Sequence, residues 1–158
     1  MKWLKYILIT IAGILLLSHI SKAQVKAYSF EQVETLQKNE KRNVVVFIYT
    51  NWCQYCQAMK STTLENGQVR KMLNDQFYYL ALNAEEKKDI RFNNKLFKYK
   101  PNGANTGAHE LAEALGNIDG KLAYPALVVL NSRYEIVFQY SGFLHTKAMR
   151  AVLDNTLQ

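Results

Sequence analysis

The sequence predicts an α/β fold, one mixed central sheet with helices on both faces, and three observations carry that prediction. First, "NVVVFIY" (43–49) is a continuous apolar, β-branched run without polar alternation, the pattern of a strand covered on both faces. Second, "ALVVLN" (126–131) and "YEIVFQY" (134–140) are joined through Ser132-Arg133 and read as an antiparallel pair. Third, helix-period segments precede, separate and follow these runs, giving the order helix, strand, helix, strand, insertion, strand, strand, helix. The 158 residues are 49% hydrophobic, enough for one domain whose core needs no set of covalent staples.

The first 23 residues differ from the rest. Lys2 and Lys5 give a positive start, Tyr6 to Leu17 is an apolar run of twelve, and Ser21 and Ala23 supply small residues ahead of Gln24. That order predicts a secretory signal peptide over residues 1–23, cleaved near Ala23. Twelve residues fall short of the roughly 20 that a membrane helix needs; an anchor over residues 6–20, extended past Ser18 and His19 by Ile20, is the alternative. No cysteine follows the run to suggest a lipid anchor. Both readings place the domain, residues 24–158, outside the cytoplasm, periplasmic or secreted. Loss of Lys2, Lys5 and Lys22 with the leader leaves 17 basic residues against 13 acidic ones, so the formal charge falls from +7 to +4. So small an excess speaks for solubility and against a nucleic-acid partner.

Within the domain, Ser29 stands three before Gln32, a capping-box spacing, and Phe30, Val33 and Leu36 recur at helical intervals. A first helix therefore opens at residue 29, followed by the strand at 43–49. A second helix is expected from Cys53 to Leu64, then a break at Asn66-Gly67 and a short third helix to Asn74 carrying Val69, Met72 and Leu73. "FYYLALN" (77–83) is the next strand. Residues 84–119 form an insertion: Ile90 and Phe92 before Asn93-Asn94, and Phe97 and Tyr99 after, alternate as in a β-hairpin that Pro101-Asn102-Gly103 ends. "GAHELAEALG" (107–116) aligns Leu111, Ala112 and Leu115 and stops at Gly116, a short helix. Lys87, Lys88, Arg91, Lys95, Lys98 and Lys100 read as a solvated hairpin face, with an acidic partner the alternative. Thr146 is placed to cap the last helix, whose apolar face is Met149, Val152, Leu153 and Leu157.

The chemistry rests on Cys53 and Cys56, the two cysteines of the chain. Cys53 lies just past a buried strand, at the start of a helix whose free N–H groups and dipole favour a thiolate. Cys56 follows one turn later on the same side, in reach to attack a mixed disulfide and release its product. Competing readings are weaker. A zinc site has only these cysteines with His109 and His145, no second CxxC and no metal-like histidine spacing, so no metal is expected. Copper held by the same thiols with a His or Met is equally thin. A purely structural bridge closes too small a loop to stabilise much.

The tryptophan-preceded CxxC, "WCQYC" (52–56), Tyr124-Pro125 after the insertion, the hairpin of residues 126–143 and a terminal helix together resemble the thioredoxin superfamily. Within it, the likeness is to the thioredoxin-like domains of bacterial envelope thiol:disulfide interchange proteins, over Ser29 to the C-terminus except the insertion. The resemblance implies a thioredoxin fold in which Cys53 is the nucleophile and Cys56 the buried resolving thiol. It implies that Trp52 shapes the surface beside them, that Pro125 is a cis-proline facing the cysteines, and that the Tyr124 backbone pairs with an extended substrate. Ordinary packing is the competing reading for the Trp52 and Tyr124 side chains. Two departures stand out. The position six before the first cysteine, a buried acid in many thioredoxins, is Phe47, which leaves water or another group such as Glu85 or Glu86 to take the Cys56 proton. Gln54 and Tyr55, between the cysteines, bring no positive charge.

The expected function is extracytoplasmic exchange of disulfides with protein substrates, leaning to the reducing direction, with the Cys53–Cys56 disulfide as the redox centre and no separate cofactor. A membrane-bound thiol–disulfide electron donor would recharge it. The rival reading is a non-catalytic binding module that uses the thioredoxin scaffold and the insertion to hold a partner.

Overall fold

Residues 44–48 of the central apolar run are fully buried, and the molecule is built around them. The computed structural model describes Trp3, residues 24–104 and residues 106–157; the leader expected over 1–23 lies, but for Trp3, outside the described residues. The chain runs α1 (Phe30–Asn39), β1 (Asn43–Tyr49), α2 (Gln54–Met59) continuing into a π-helical turn (Lys60–Leu64), α3 (Gly67–Gln76) and β2 (Phe77–Asn83). The insertion holds β3 (Ile90–Phe92), β4 (Lys95–Phe97), β5 (Tyr99–Pro101), β6 (Gly107–His109), α4 (Glu110–Gly116), β7 (Asn117–Ile118) and β8 (Lys121–Leu122). Strands β9 (Ala126–Leu130) and β10 (Ile136–Ser141) and helix α5 (Thr146–Asn155) complete it. Among the described residues no helix is long and apolar enough to cross a membrane.

The main sheet has the order β10-β9-β1-β2. Strand β1 runs parallel to β2 and antiparallel to β9, which pairs antiparallel with β10. Side chains of a strand alternate between faces, so one run builds two cores. Val44, Val46 and Ile48, with Ala126, Val128 and Leu130, meet Phe30 and Val33 of α1 and Leu111, Ala112 and Leu115 of α4. Val45 and Phe47, with Leu127 and Val129, meet Cys56 and Met59 of α2, Val69 and Leu73 of α3, and Met149 and Leu153 of α5. Full burial of each aliphatic side chain contributes about 1.5–3 kcal/mol, which is why the run tolerates no polar residue.

Local signals set most boundaries. Ser29 caps α1 in a complete capping box with Gln32. Asn66 caps α3, its Oδ1 accepting from the N–H groups of Gln68 and Val69, and α3 continues to Gln76, two residues past the expected end. The last helix differs: His145 occupies the cap position, Thr146 is its first helical residue, and the His145 side chain makes no capping hydrogen bond. Leu157 lies beyond the helix end and is exposed, so it is not part of the apolar face formed by Met149 and Leu153. The second strand of the late hairpin starts at Ile136, because Tyr134 is taken into the turn with φ of 66°.

The insertion departs most from expectation. Asn93 and Asn94 both take positive φ and make a two-residue turn. That turn sets Phe92 opposite Lys95 and Ile90 opposite Phe97, and there the hairpin stops. Continuing it would pair Tyr99 with Lys88, but the Lys88 N–H donates to the Glu86 carboxylate and its carbonyl faces the His109 ring. Tyr99 pairs with His109 instead, and Pro101 ends β5 opposite Gly107. His109 is thereby fully buried; its Nδ1 accepts from the Leu111 N–H to cap α4, leaving Nε2 to donate to the Lys88 carbonyl.

Candidate active site

The cysteines sit where β1 gives way to α2. Cys53 is the N-cap of α2, in an extended conformation, and its Sγ accepts from the Cys56 N–H at 3.1 Å while its carbonyl accepts from Gln57 at 3.1 Å. The sulfur thus occupies the place of a capping oxygen, facing the donors that a helix start leaves free. Cys53 and Cys56 are joined by a disulfide across a Cα–Cα distance of 5.2 Å. Their environments differ: Cys53 keeps 6% of its surface exposed and Cys56 none. What little of the pair is exposed belongs to Cys53, and Cys56 is wholly enclosed.

Beneath the pair the surroundings are apolar. Phe47, at the position where an acid would serve the resolving thiol, is buried and stacks on Tyr49 with ring centroids 5.8 Å apart. A charge lies against these rings: Lys60, four residues after Cys56 on the same helical stretch, has Nζ 3.2 Å from the Tyr49 ring centroid and 5.9 Å from that of Phe47. Burial lowers its pKa from the ordinary lysine value. Sequence reasoning passed over Lys60, although its four-residue spacing from Cys56 was a signal that it shares that face. Burial also pushes the Tyr79 hydroxyl well above the usual tyrosine range. Thr50, whose carbonyl accepts from the Cys53 N–H at 3.4 Å, is buried with no hydrogen-bond partner for its hydroxyl among the described residues.

Beside Cys53 stand aromatic side chains from separate segments. Trp52 and Tyr55, either side of Cys53, are 67% and 70% exposed. Tyr124 reaches Trp52 from across the fold, edge to face at 6.0 Å between centroids, and packs against both cores. The Tyr124–Pro125 peptide bond is cis, Pro125 is buried, and the Pro125 carbonyl accepts from Gly142 at 2.8 Å. Of the two acids considered for proton transfer, only Glu85 comes to the cluster, its Oε1 accepting from Trp52 Nε1 at 3.2 Å. Glu86 instead caps its own turn, accepting from the N–H groups of Lys87 and Lys88. Burial, reinforced by Glu113 and Glu85, pushes the Tyr124 hydroxyl up to about 12, so it stays protonated near neutral pH. Glu113, unnoticed in the sequence, belongs to α4 and is oriented by Asn117, whose Nδ2 donates to it at 3.3 Å.

The arrangement supplies a disulfide of which Cys53 alone keeps any exposure, and an aromatic rim beside it. The thioredoxin-like domain family model matches residues 29–157. No curated protein matches the chain in sequence. Among solved structures, a DsbH oxidoreductase superposes with a TM-score of 0.60 at 14% identity, over 88% of each chain. A thioredoxin from Thermus thermophilus gives 0.59 at 20% identity, over 85% of this chain and 88% of that one. A thioredoxin-fold protein from Helicobacter pylori gives 0.57 at 16% identity, over 88% and 79%. At such identities the likeness establishes the fold.

Proposed function

The chain belongs to the thioredoxin-like domain family, and from that premise we propose that it is a thiol–disulfide oxidoreductase acting on protein disulfides outside the cytoplasm, in the reducing direction. The observation that carries the reading is the Cys53–Cys56 disulfide at a helix start, with exposure confined to Cys53. In the reduced protein, the Cys53 thiolate attacks one sulfur of a substrate disulfide; the Cys53–substrate bond forms, the substrate bond breaks, and the released sulfur takes a proton from water. Cys56 then gives its proton to water and attacks Cys53, closing the internal disulfide and expelling the second substrate sulfur, which takes a proton from water in turn. The substrate gains two electrons and two protons, and the protein is left in the bonded form. A membrane-bound dithiol donor recharges it, because the bacterial periplasm has no reducing thiol buffer.

In this reading Trp52 and Tyr124 border the attacked sulfur, and the Tyr124 backbone ahead of Pro125 pairs with an extended substrate segment, as the family resemblance implies. The Cys53–Cys56 pair is the redox centre, without a separate cofactor. Gln54 and Tyr55 add no positive charge to stabilise the thiolate form further, which favours the reducing role. The leader pattern of residues 1–23 supports the extracytoplasmic location.

Reduction of insulin with dithiothreitol as electron source tests the reading. The wild type turns over, Cys53→Ser is inactive, and pre-reduced Cys56→Ser, mixed with insulin after the dithiothreitol has been removed, accumulates a mixed disulfide visible on non-reducing gels. Equal silence of wild type and Cys53→Ser would leave the protein a binding module. The couple should titrate below about −200 mV; a value near −120 mV would mark an oxidant.

A further inference from the structure

Attack by Cys56 requires its thiolate, and Cys56 is enclosed in an apolar cluster that disfavours one. Phe47, six residues before Cys53, pairs with Ala81 in β2 and Leu127 in β9, so none of these three positions offers a polar side chain to take or balance the charge. A cation reaches this layer from the helix instead. Lys60 stands where α2 passes into the π-helical turn, and its N–H donates to the Cys56 carbonyl one turn back. Residues four apart on a helix are neighbours, with Cβ atoms about 5–6 Å apart, and helical side chains lean toward the N-terminal turn. The Lys60 stem thus lies over the turn of Cys56. Its Nζ is held 3.2 Å from the Tyr49 ring centroid and 5.9 Å from that of Phe47, which packs in the same cluster as Cys56. Contact with aromatic faces favours the ammonium form. Among the described residues the titratable groups facing it are Tyr49 from β1, Tyr79 from β2 and Glu65 at the end of the π-helical turn. Glu65 is paired with Arg70 at 3.8 Å, and burial keeps the Tyr79 hydroxyl protonated. Lys60, Tyr79 and Glu65 also line an open cavity of about 230 Å³, which gives Nζ access to water.

We infer that Lys60 is a positioning residue for the second step of exchange: its ammonium, braced by the Tyr49 and Phe47 rings, stabilises the Cys56 thiolate as it forms. The inference rests on the oxidoreductase reading and names the group that serves its resolving thiol. Lys60 makes and breaks no bond. The Cys56 proton goes to water, the Cys56–Cys53 bond forms, the Cys53–substrate bond breaks, and the departing sulfur takes a proton from water. A cation beside a thiol raises the thiolate fraction about tenfold to a hundredfold. About half of that logarithm is lost again because a less basic thiolate is a weaker nucleophile, which leaves about a threefold to tenfold faster step.

The test mixes the pre-reduced full-length protein, freed of dithiothreitol, with excess 2,2′-dithiodipyridine, a neutral disulfide, and follows the release of pyridine-2-thione in stopped flow. The first equivalent reports attack by Cys53 and its rate rises with probe concentration; the second reports closure by Cys56 and reaches a plateau. Lys60→Met, which keeps the length of the chain against the rings, should lower the plateau about threefold to tenfold near neutral pH and move its pH midpoint upward, with a smaller effect on the first rate. Lys60→Arg, which keeps the charge, should restore most of the plateau. A plateau and midpoint unchanged in Lys60→Met overturn the role of Lys60, as does an equal fall of both rates in both variants; release of two equivalents by the wild type leaves the oxidoreductase reading standing in either case. A wild type that releases no pyridine-2-thione overturns both.

Discussion

Replacing Thr63 with valine removes one oxygen and keeps the side-chain shape. Thr63 lies in the π-helical turn that continues the cysteine helix, is 1% exposed, and donates through Oγ1 to the Leu144 carbonyl at 2.7 Å, 81 residues away. That bond ties the end of the cysteine helix to the loop leading into α5. In Thr63→Val the Leu144 carbonyl, on a residue only 7% exposed, stays buried without this donor. The net hydrogen bond is worth about 1 kcal/mol, and stranding a buried acceptor raises the loss to about 1–3 kcal/mol. For a domain of this size each kcal/mol moves Tm by roughly 3–4 °C, so calorimetry should show a fall of about 3–12 °C. Thr63→Ser, which keeps the donor and loses only a methyl group, should fall by less. A Thr63→Val protein melting within 1 °C of the wild type, or a serine variant less stable than the valine one, would refute the assignment of this energy to the hydrogen bond.

A methyl group at Gly107 would overlap the carbonyl oxygen of Lys100 in the facing strand, a backbone atom that cannot step aside. Gly107→Ala should therefore cost about 1–3 kcal/mol and speed amide exchange in β5 and β6, while protection in β1 and β9 is kept; unchanged exchange at Tyr99 and His109 would contradict this. The Lys88 and Lys87 N–H groups hold Glu86 below the ordinary carboxylate value of 4.5. A folded pKa lower than the unfolded one means that the unfolded chain binds more protons in that window, so this contribution is present above about pH 4.5 and is lost as pH falls through the depressed value. Urea unfolding between pH 3 and 6 should show a smaller loss for Glu86→Gln than for the wild type; parallel curves would count against it.

What could be read along the chain was whatever depends on neighbours in sequence. Strand β1 matches its expected limits because burial on both faces permits nothing but apolar residues from Val44 to Ile48. Ser29 announced its helix because a capping box bonds N–H groups within three residues, whereas Asn66, read only as part of a break, proves to cap α3. The CxxC was legible as a site for the same reason, a strand end and a helix start meeting at Cys53. The insertion was misread where alternation alone had to choose a partner for Tyr99: the residue fits a strand in either hairpin, and the turn at Asn93-Asn94 together with the occupied backbone of Lys88 decides between them. At α5 the error was one residue, since Thr146 and its neighbour His145 compete for one cap position.

The sequence by itself determined the alternating layers of the sheet, the helices that cover it and the seat of the cysteine pair, because periodicity, capping and spacing act over one to four residues. Tertiary structure alone decided that Glu85 and Tyr124 meet Trp52, that Glu86 stays away, and that Lys60 rather than an acid lies by the Phe47 and Tyr49 rings. Those groups come from different segments and are brought together by burial, which is non-directional and leaves no mark at any fixed distance along the chain.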